Sequence, residues 1–152
     1  MISKAGGLAL LAPALLLSAC LSVPIELKVN PTLAADGTNL STIQFKERDR
    51  EKAFRVIREF ARGRRMEPLA PGKSVLGAGW TQEQYQLKVK VSGMLYDTEH
   101  AIVLTLLYKD GNATVQLLHD GKAPRESSQI ELALMDTLRG QFGAGNVEKI
   151  GG

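Results

Sequence analysis

The stretch "AIVLTLLYKDGNATVQLLH", Ala101 to His119, decides the fold. From Ala101 to Tyr108 nearly every side chain is apolar, so both faces of this strand need cover, as at the centre of a sheet. Asp110-Gly111-Asn112 is a hairpin-turn signal. Beyond it Val115 and Leu117 alternate with Thr114, Gln116 and Leu118. Upstream, Tyr85, Leu87, Val89 and Val91 alternate with Gln86, Lys88, Lys90 and Ser92, the period of a half-buried strand. The three segments predict an antiparallel meander.

Two helical patterns flank it. Asp49 is the expected N-cap of a helix running to Arg62, with Gly63 as its C-terminal stop and Pro68 beyond. Ala53, Phe54, Ile57, Phe60 and Ala61 fall on one arc of that helix. The segment "TIQF" before it reads as a short strand or extended lead-in, because a helix there would place Lys46 and Arg50 on the apolar arc. Ile130, Leu134, Leu138 and Phe142 recur every four residues in a second helix, Glu126 to Phe142, stopped by Gly143 and Gly145. Val23 to Asn30 alternates without a slip and predicts a further strand, followed by a loop from Pro31 to Ser41. The expected order is β-α-β-β-β-α: an α+β two-layer sandwich, with both helices on one face of an antiparallel sheet. Residues 70–80 form a loop whose Gly72-Lys73-Ser74 lacks the preceding glycine of a phosphate loop, since Glu67 stands there.

The chain begins with the parts of an export signal. Lys4 supplies the positive charge, Gly6 to Leu17 form a short apolar run, and Ser18 and Ala19 precede Cys20, the only cysteine of 152 residues. That run is too short to span a ~30 Å hydrocarbon core. Leu17-Ser18-Ala19-Cys20 resembles the lipobox of bacterial lipoprotein precursors. The resemblance implies cleavage after Ala19, residues 1–19 being a signal peptide, and acyl chains on Cys20 as a membrane anchor. Leu21 in place of Asp after the cysteine resembles the pattern sorted to the outer membrane, which would place the protein on its periplasmic face. Residues 20–41 are then the lipidated N-terminus with its strand and linker, and 42–152 a single α+β domain. Without a second cysteine, no intramolecular disulfide or thiolate metal site can form.

The order of elements resembles, in topology, the lipopolysaccharide-assembly and transport-auxiliary lipoproteins. Asn30 to Lys46, "NPTLAADGTNLSTIQFK", is similar in cadence to the first loop and strand of the type VI secretion outer-membrane lipoprotein. With the anchor, these likenesses point to a non-enzymatic binding module serving an envelope assembly, transport or secretion complex; a toxin-neutralising lipoprotein that blocks an envelope-targeting effector is a variant that the sequence does not separate from it.

Charge singles out one segment. The whole chain carries +3, whereas residues 46–65 hold nine Lys or Arg against four Asp or Glu. Arg55, Arg58, Arg62 and Arg65 lie opposite the apolar arc and are the candidate contacts for an acidic protein surface, anionic lipid or lipopolysaccharide. A solvated helix face, with Glu51–Arg55 and Glu59–Arg62 pairs, explains the same residues. Nucleic acid is not an expected partner for a periplasm-facing protein. For catalysis or metal binding, His100 and His119 are the only neutral-pH bases, and Asp97 or Asp120 could join them if two turns meet. Polar turn chemistry accounts for those positions equally, so no catalytic residue, metal ligand or cofactor is assigned.

Overall fold

The computed structural model describes residues 39–70 and 79–151. The signal segment, Cys20, the predicted strand at 23–30 and most of the loop at 70–80 lie outside them. Six strands form one antiparallel sheet in the order β2-β3-β4-β5-β1-β6. They are β1 (Asn39–Lys46), β2 (Glu67–Leu69), β3 (Thr81–Ser92), β4 (Asp97–Lys109), β5 (Asn112–His119) and β6 (Val147–Gly151), with helices α1 (Arg50–Gly63) and α2 (Pro124–Phe142). The α+β sandwich expected from the sequence is the observed architecture.

β4 sits inside the sheet with β3 and β5 on its flanks. Its even positions Ile102, Leu104, Leu106 and Tyr108 join Phe54, Ile57, Leu134 and Leu138 of the helices in one core. Its odd positions Val103 and Leu107 are also buried, so the strand is covered on both faces, as its unbroken apolar run requires. The turn to β5 has two residues, Asp110 and Gly111, at φ of 49° and 82°. Both are left-handed, the backbone of a type I′ hairpin turn, which Asp-Gly accommodates.

Several elements differ from the sequence reading. "TIQF" belongs to a full eight-residue strand, β1, which opens at Asn39 inside the presumed linker. Flanked by β5 and β6, β1 buries Ile43 and Phe45 against the helices, with the Phe45 ring 4.4 Å from that of Phe142. β2 and β6 are additional strands; at three and five residues they are too short for an alternation to register.

The exit from α1 also differs. Asp49 caps the start as expected, accepting hydrogen bonds from the amides of Glu51 (3.0 Å) and Lys52 (3.2 Å). Gly63, however, is still helical. The left-handed position falls two residues later, on Arg65 at φ 56°. The Arg65 amide bonds to the Arg62 carbonyl (3.0 Å), and the Met66 amide to that of Ala61 (2.9 Å). This pair of bonds is a Schellman motif, and Met66 and Ala61 at its ends are both buried. Glycine is favoured at that position because it has no Cβ to clash there.

A Cβ on Gly63 would meet nothing within 4 Å. Gly63→Ala should therefore hold or raise stability by up to ~1 kcal/mol, and Arg65→Gly should raise it by ~1 kcal/mol. Urea unfolding of the two variants checks this. A clear loss on Gly63→Ala would return the left-handed position to Gly63.

Candidate functional site

The candidate arginines divide into two groups. Arg55, Arg58, Arg62 and Arg65 are all exposed. Arg58 is committed to the fold, because its guanidinium grips the Glu83 carboxylate of β3, with Nε 3.0 Å from both oxygens and Nη2 on Oε1. Tyr85 donates its hydroxyl to the other side of the same carboxylate at 2.6 Å. Among the described residues Arg55, Arg62 and Arg65 make no ion pair, and neither expected helix pair forms. Glu51 meets Arg50 at 3.1 Å instead. Lys52, on the same helix, turns to Glu47 at 3.0 Å. Of the four candidate arginines, Arg55, Arg62 and Arg65 thus have no carboxylate partner among the described residues, and Arg64 beside them lies over the Phe60 ring.

The Glu83 cluster has a titration signature. Burial raises the Glu83 pKa, but the hydrogen bonds from Arg58 and Tyr85 outweigh it and hold the carboxyl below its ordinary value. The Tyr85 phenol is pushed up to about 12, by burial first and by the Glu83 carboxylate second.

His100 sits in β4, and its side chain is only 9% exposed. Its Nδ1 lies 2.6 Å from Oδ2 of Asp120, and its Nε2 2.7 Å from the Thr98 hydroxyl. A carboxylate only accepts, so Nδ1 carries the proton, and in the neutral ring Nε2 accepts from Thr98. The two turns do not meet, because His100 lies within β4 and not in the hairpin turn; it is His100 itself that meets the turn after β5, so Asp120, not Asp97, reaches the histidine. His119 takes no part: its Nδ1 accepts the Gly121 amide at 3.1 Å. Burial raises the Asp120 pKa, while the Lys122 amide and His100 outweigh this and leave it lowered. A hydroxyl–imidazole–carboxylate row has the order of a proton relay. Here it joins residues of one sheet end, fastening β4 to the exit of β5. Among the described residues no group of three His, Cys, Asp or Glu is placed to hold a metal ion.

A third feature is absent from the sequence reading. β3 and β4 pair over their full lengths, from Thr81↔Tyr108 to Ser92↔Asp97, whereas β5 stops at His119 opposite Ile102. The hairpin therefore runs on past the sheet as a two-stranded ribbon. Five rows of pairing at ~3.3 Å carry its tip roughly 16 Å beyond β5. At the tip Met94 is fully exposed, Leu95 91% and Tyr96 72%. Gly93 makes the tip possible, since a Cβ there would lie 2.6 Å from the Tyr96 carbonyl oxygen. Met94-Leu95-Tyr96, three consecutive large apolar residues between strands, is the sequence signal of this tip.

No protein-family model matches the chain, and no curated protein matches it. Among the described residues no helix is long and apolar enough to cross a membrane.

Because its folded pKa is raised, Tyr85 contributes stability that is fully present below pH 10 and is lost as pH rises from about 10 to about 12. Phenolate absorbance should show one tyrosine ionising near pH 12 in the folded protein, and Tyr85→Phe should remove it. Survival of that step in the variant would show that the late phenol is another residue.

Proposed function

We propose that this protein is an outer-membrane-anchored, periplasm-facing lipoprotein acting as a non-enzymatic binding module, an accessory subunit of an envelope assembly, transport or secretion complex. The observation that carries this reading is the position of the only cysteine, at Leu17-Ser18-Ala19-Cys20 after an export-type apolar run. Acyl chains at Cys20 supply location. Each buried methylene contributes ~0.8 kcal/mol, so two or three chains hold where one would not. Held at the membrane, the domain meets an envelope partner at high effective concentration, and modest contact affinity suffices. Neutralisation of an envelope-targeting toxin is a variant of the same role, with the partner being the effector.

A second reading has support of its own. Arg55, Arg62 and Arg65 are exposed guanidinium groups without a described carboxylate partner, suited to phosphates of anionic lipid or lipopolysaccharide. Arg58 leaves this set, because releasing it would strand Glu83. Binding through such a surface weakens as ionic strength rises.

Cys20→Ser should abolish acyl labelling and release the protein from the membrane fraction; continued labelling would refute the anchor. Mild crosslinking of the anchored chain in cells, with mass spectrometry of what is captured, should return one near-stoichiometric envelope protein. Capture of anionic lipid or lipopolysaccharide alone, lost when Arg55, Arg62 and Arg65 are changed to Glu, would replace that reading with the second.

A further inference from the structure

We infer that the tip of the β3–β4 hairpin, Met94-Leu95-Tyr96, inserts into the interfacial layer of a phospholipid bilayer and orients the domain on the membrane. The inference deepens the proposed membrane anchorage and rests on it for location, but it concerns a separate surface. Three properties of the tip select a bilayer over a protein surface.

The first is shape and area. The tip is convex and narrow, and its three side chains expose on the order of 500 Å². A specific protein interface needs about 800 Å² on each partner. A tip of this size falls short of that alone, yet it is sufficient to fix the tilt of a domain already held at the membrane. The second is the order of residues. Met94 and Leu95 are the apex, and Tyr96 stands beside them with its ring and hydroxyl, the amphipathic side chain that settles at headgroup level. Penetration of ~5–10 Å leaves the paired strands below in the hydrated zone. The tip's own polar backbone is partly served, as the Gly93 amide bonds to the Tyr96 carbonyl at 3.2 Å.

The third is charge. Lys88 and Lys90 on β3 stand below the tip, matched by Glu99 and Asp97 on β4, with Lys88 3.4 Å from Glu99. The collar is thus balanced, so insertion should not require anionic lipid. Long lysine stems can lie along the apolar layer while their ammonium groups reach the phosphates. Apolar character continues down one face of the ribbon through Val91 and Val89, which are only half exposed. The His100–Asp120 bond holds the base of the ribbon, giving the tip a fixed direction.

The test uses the full chain as cells process it, carrying Leu95→Cys labelled with an environment-sensitive fluorophore, in vesicles of zwitterionic phosphatidylcholine. Leu132→Cys on the exposed face of α2, where Leu132 is 66% exposed, is the control. The Leu95 label should shift to shorter wavelength and be quenched by a shallow lipid-borne quencher, with the Leu132 label unchanged. Equal, water-like emission from both positions would overturn the inference. So would a Leu95 label that stays water-like in vesicles but crosslinks to one protein in intact cells. Intact mass reads acylation of Cys20 separately. If Cys20 carries no acyl chains, the label is placed in a Cys20→Ser background so that it reports Leu95→Cys alone, and its shift on adding vesicles still supports insertion while the anchor fails. An acylated chain with a water-like tip keeps the anchor and ends the insertion.

Discussion

The structure depends on the double-sided burial of β4. Its inner half, Ile102 to Leu107, is wrapped by the helices on one face and buried on the other. A strand buried in this way must have neighbours on both edges, and β3 and β5 supply them. Each fully buried leucine or isoleucine contributes about 1.5–3 kcal/mol relative to exposure. Ile102, Leu104, Leu106 and Leu107 are each at most 1% exposed. The same strand is thirteen residues long while β5 is eight, and this mismatch produces the projecting ribbon. Core strand and exposed apolar tip are therefore two halves of one hairpin.

Polar contacts secure what the core leaves loose. Glu83 joins β3 to α1 through Arg58, Glu131 joins α2 to β1 through Ser41 at 2.5 Å and to β6 through Lys149, and Asp120 joins the β5 exit to β4 through His100. These carboxylates are partly exposed, so each adds little to stability in water. Their value is positional, since each fixes the angle of one element against another. All three have lowered pKa values, so what they contribute is present above the ordinary carboxylate range and lost as pH falls through it.

Much of the fold was legible because it follows from periodicity. The alternation of Tyr85 to Val91 and the apolar run of Ala101 to Tyr108 carry period two, and Asp49 and Gly143 are chemically distinct helix ends. β2 and β6 were hidden because three to five residues give no period to count. The Schellman exit at Arg65 was hidden because the helix runs through Gly63 and places its left-handed residue on an arginine, against the local preference that pointed to Gly63. The site was less legible than the fold. Sequence placed the basic stripe on the correct helix face, but the capture of Arg58 by Glu83, 25 residues away, is a tertiary fact. The His100–Asp120 contact needed the register of β5 on β4. The apolar residues of the tip are visible in the sequence, but its projection follows from the difference in length between β4 and β5, which no single segment displays.

The proposed anchor, the basic helix and the apolar tip together fit our proposal of a domain that works beside a membrane, and the ribbon is the part whose behaviour distinguishes this account from a free-standing sandwich. Amide hydrogen exchange, followed residue by residue with and without phosphatidylcholine vesicles, tests it most directly. Ile102 to Leu107 should exchange only through global unfolding in both conditions, while Ser92 to Glu99 exchange through local opening in water and become protected on vesicles. Exchange from Ser92 to Glu99 that is the same in both conditions would contradict the account.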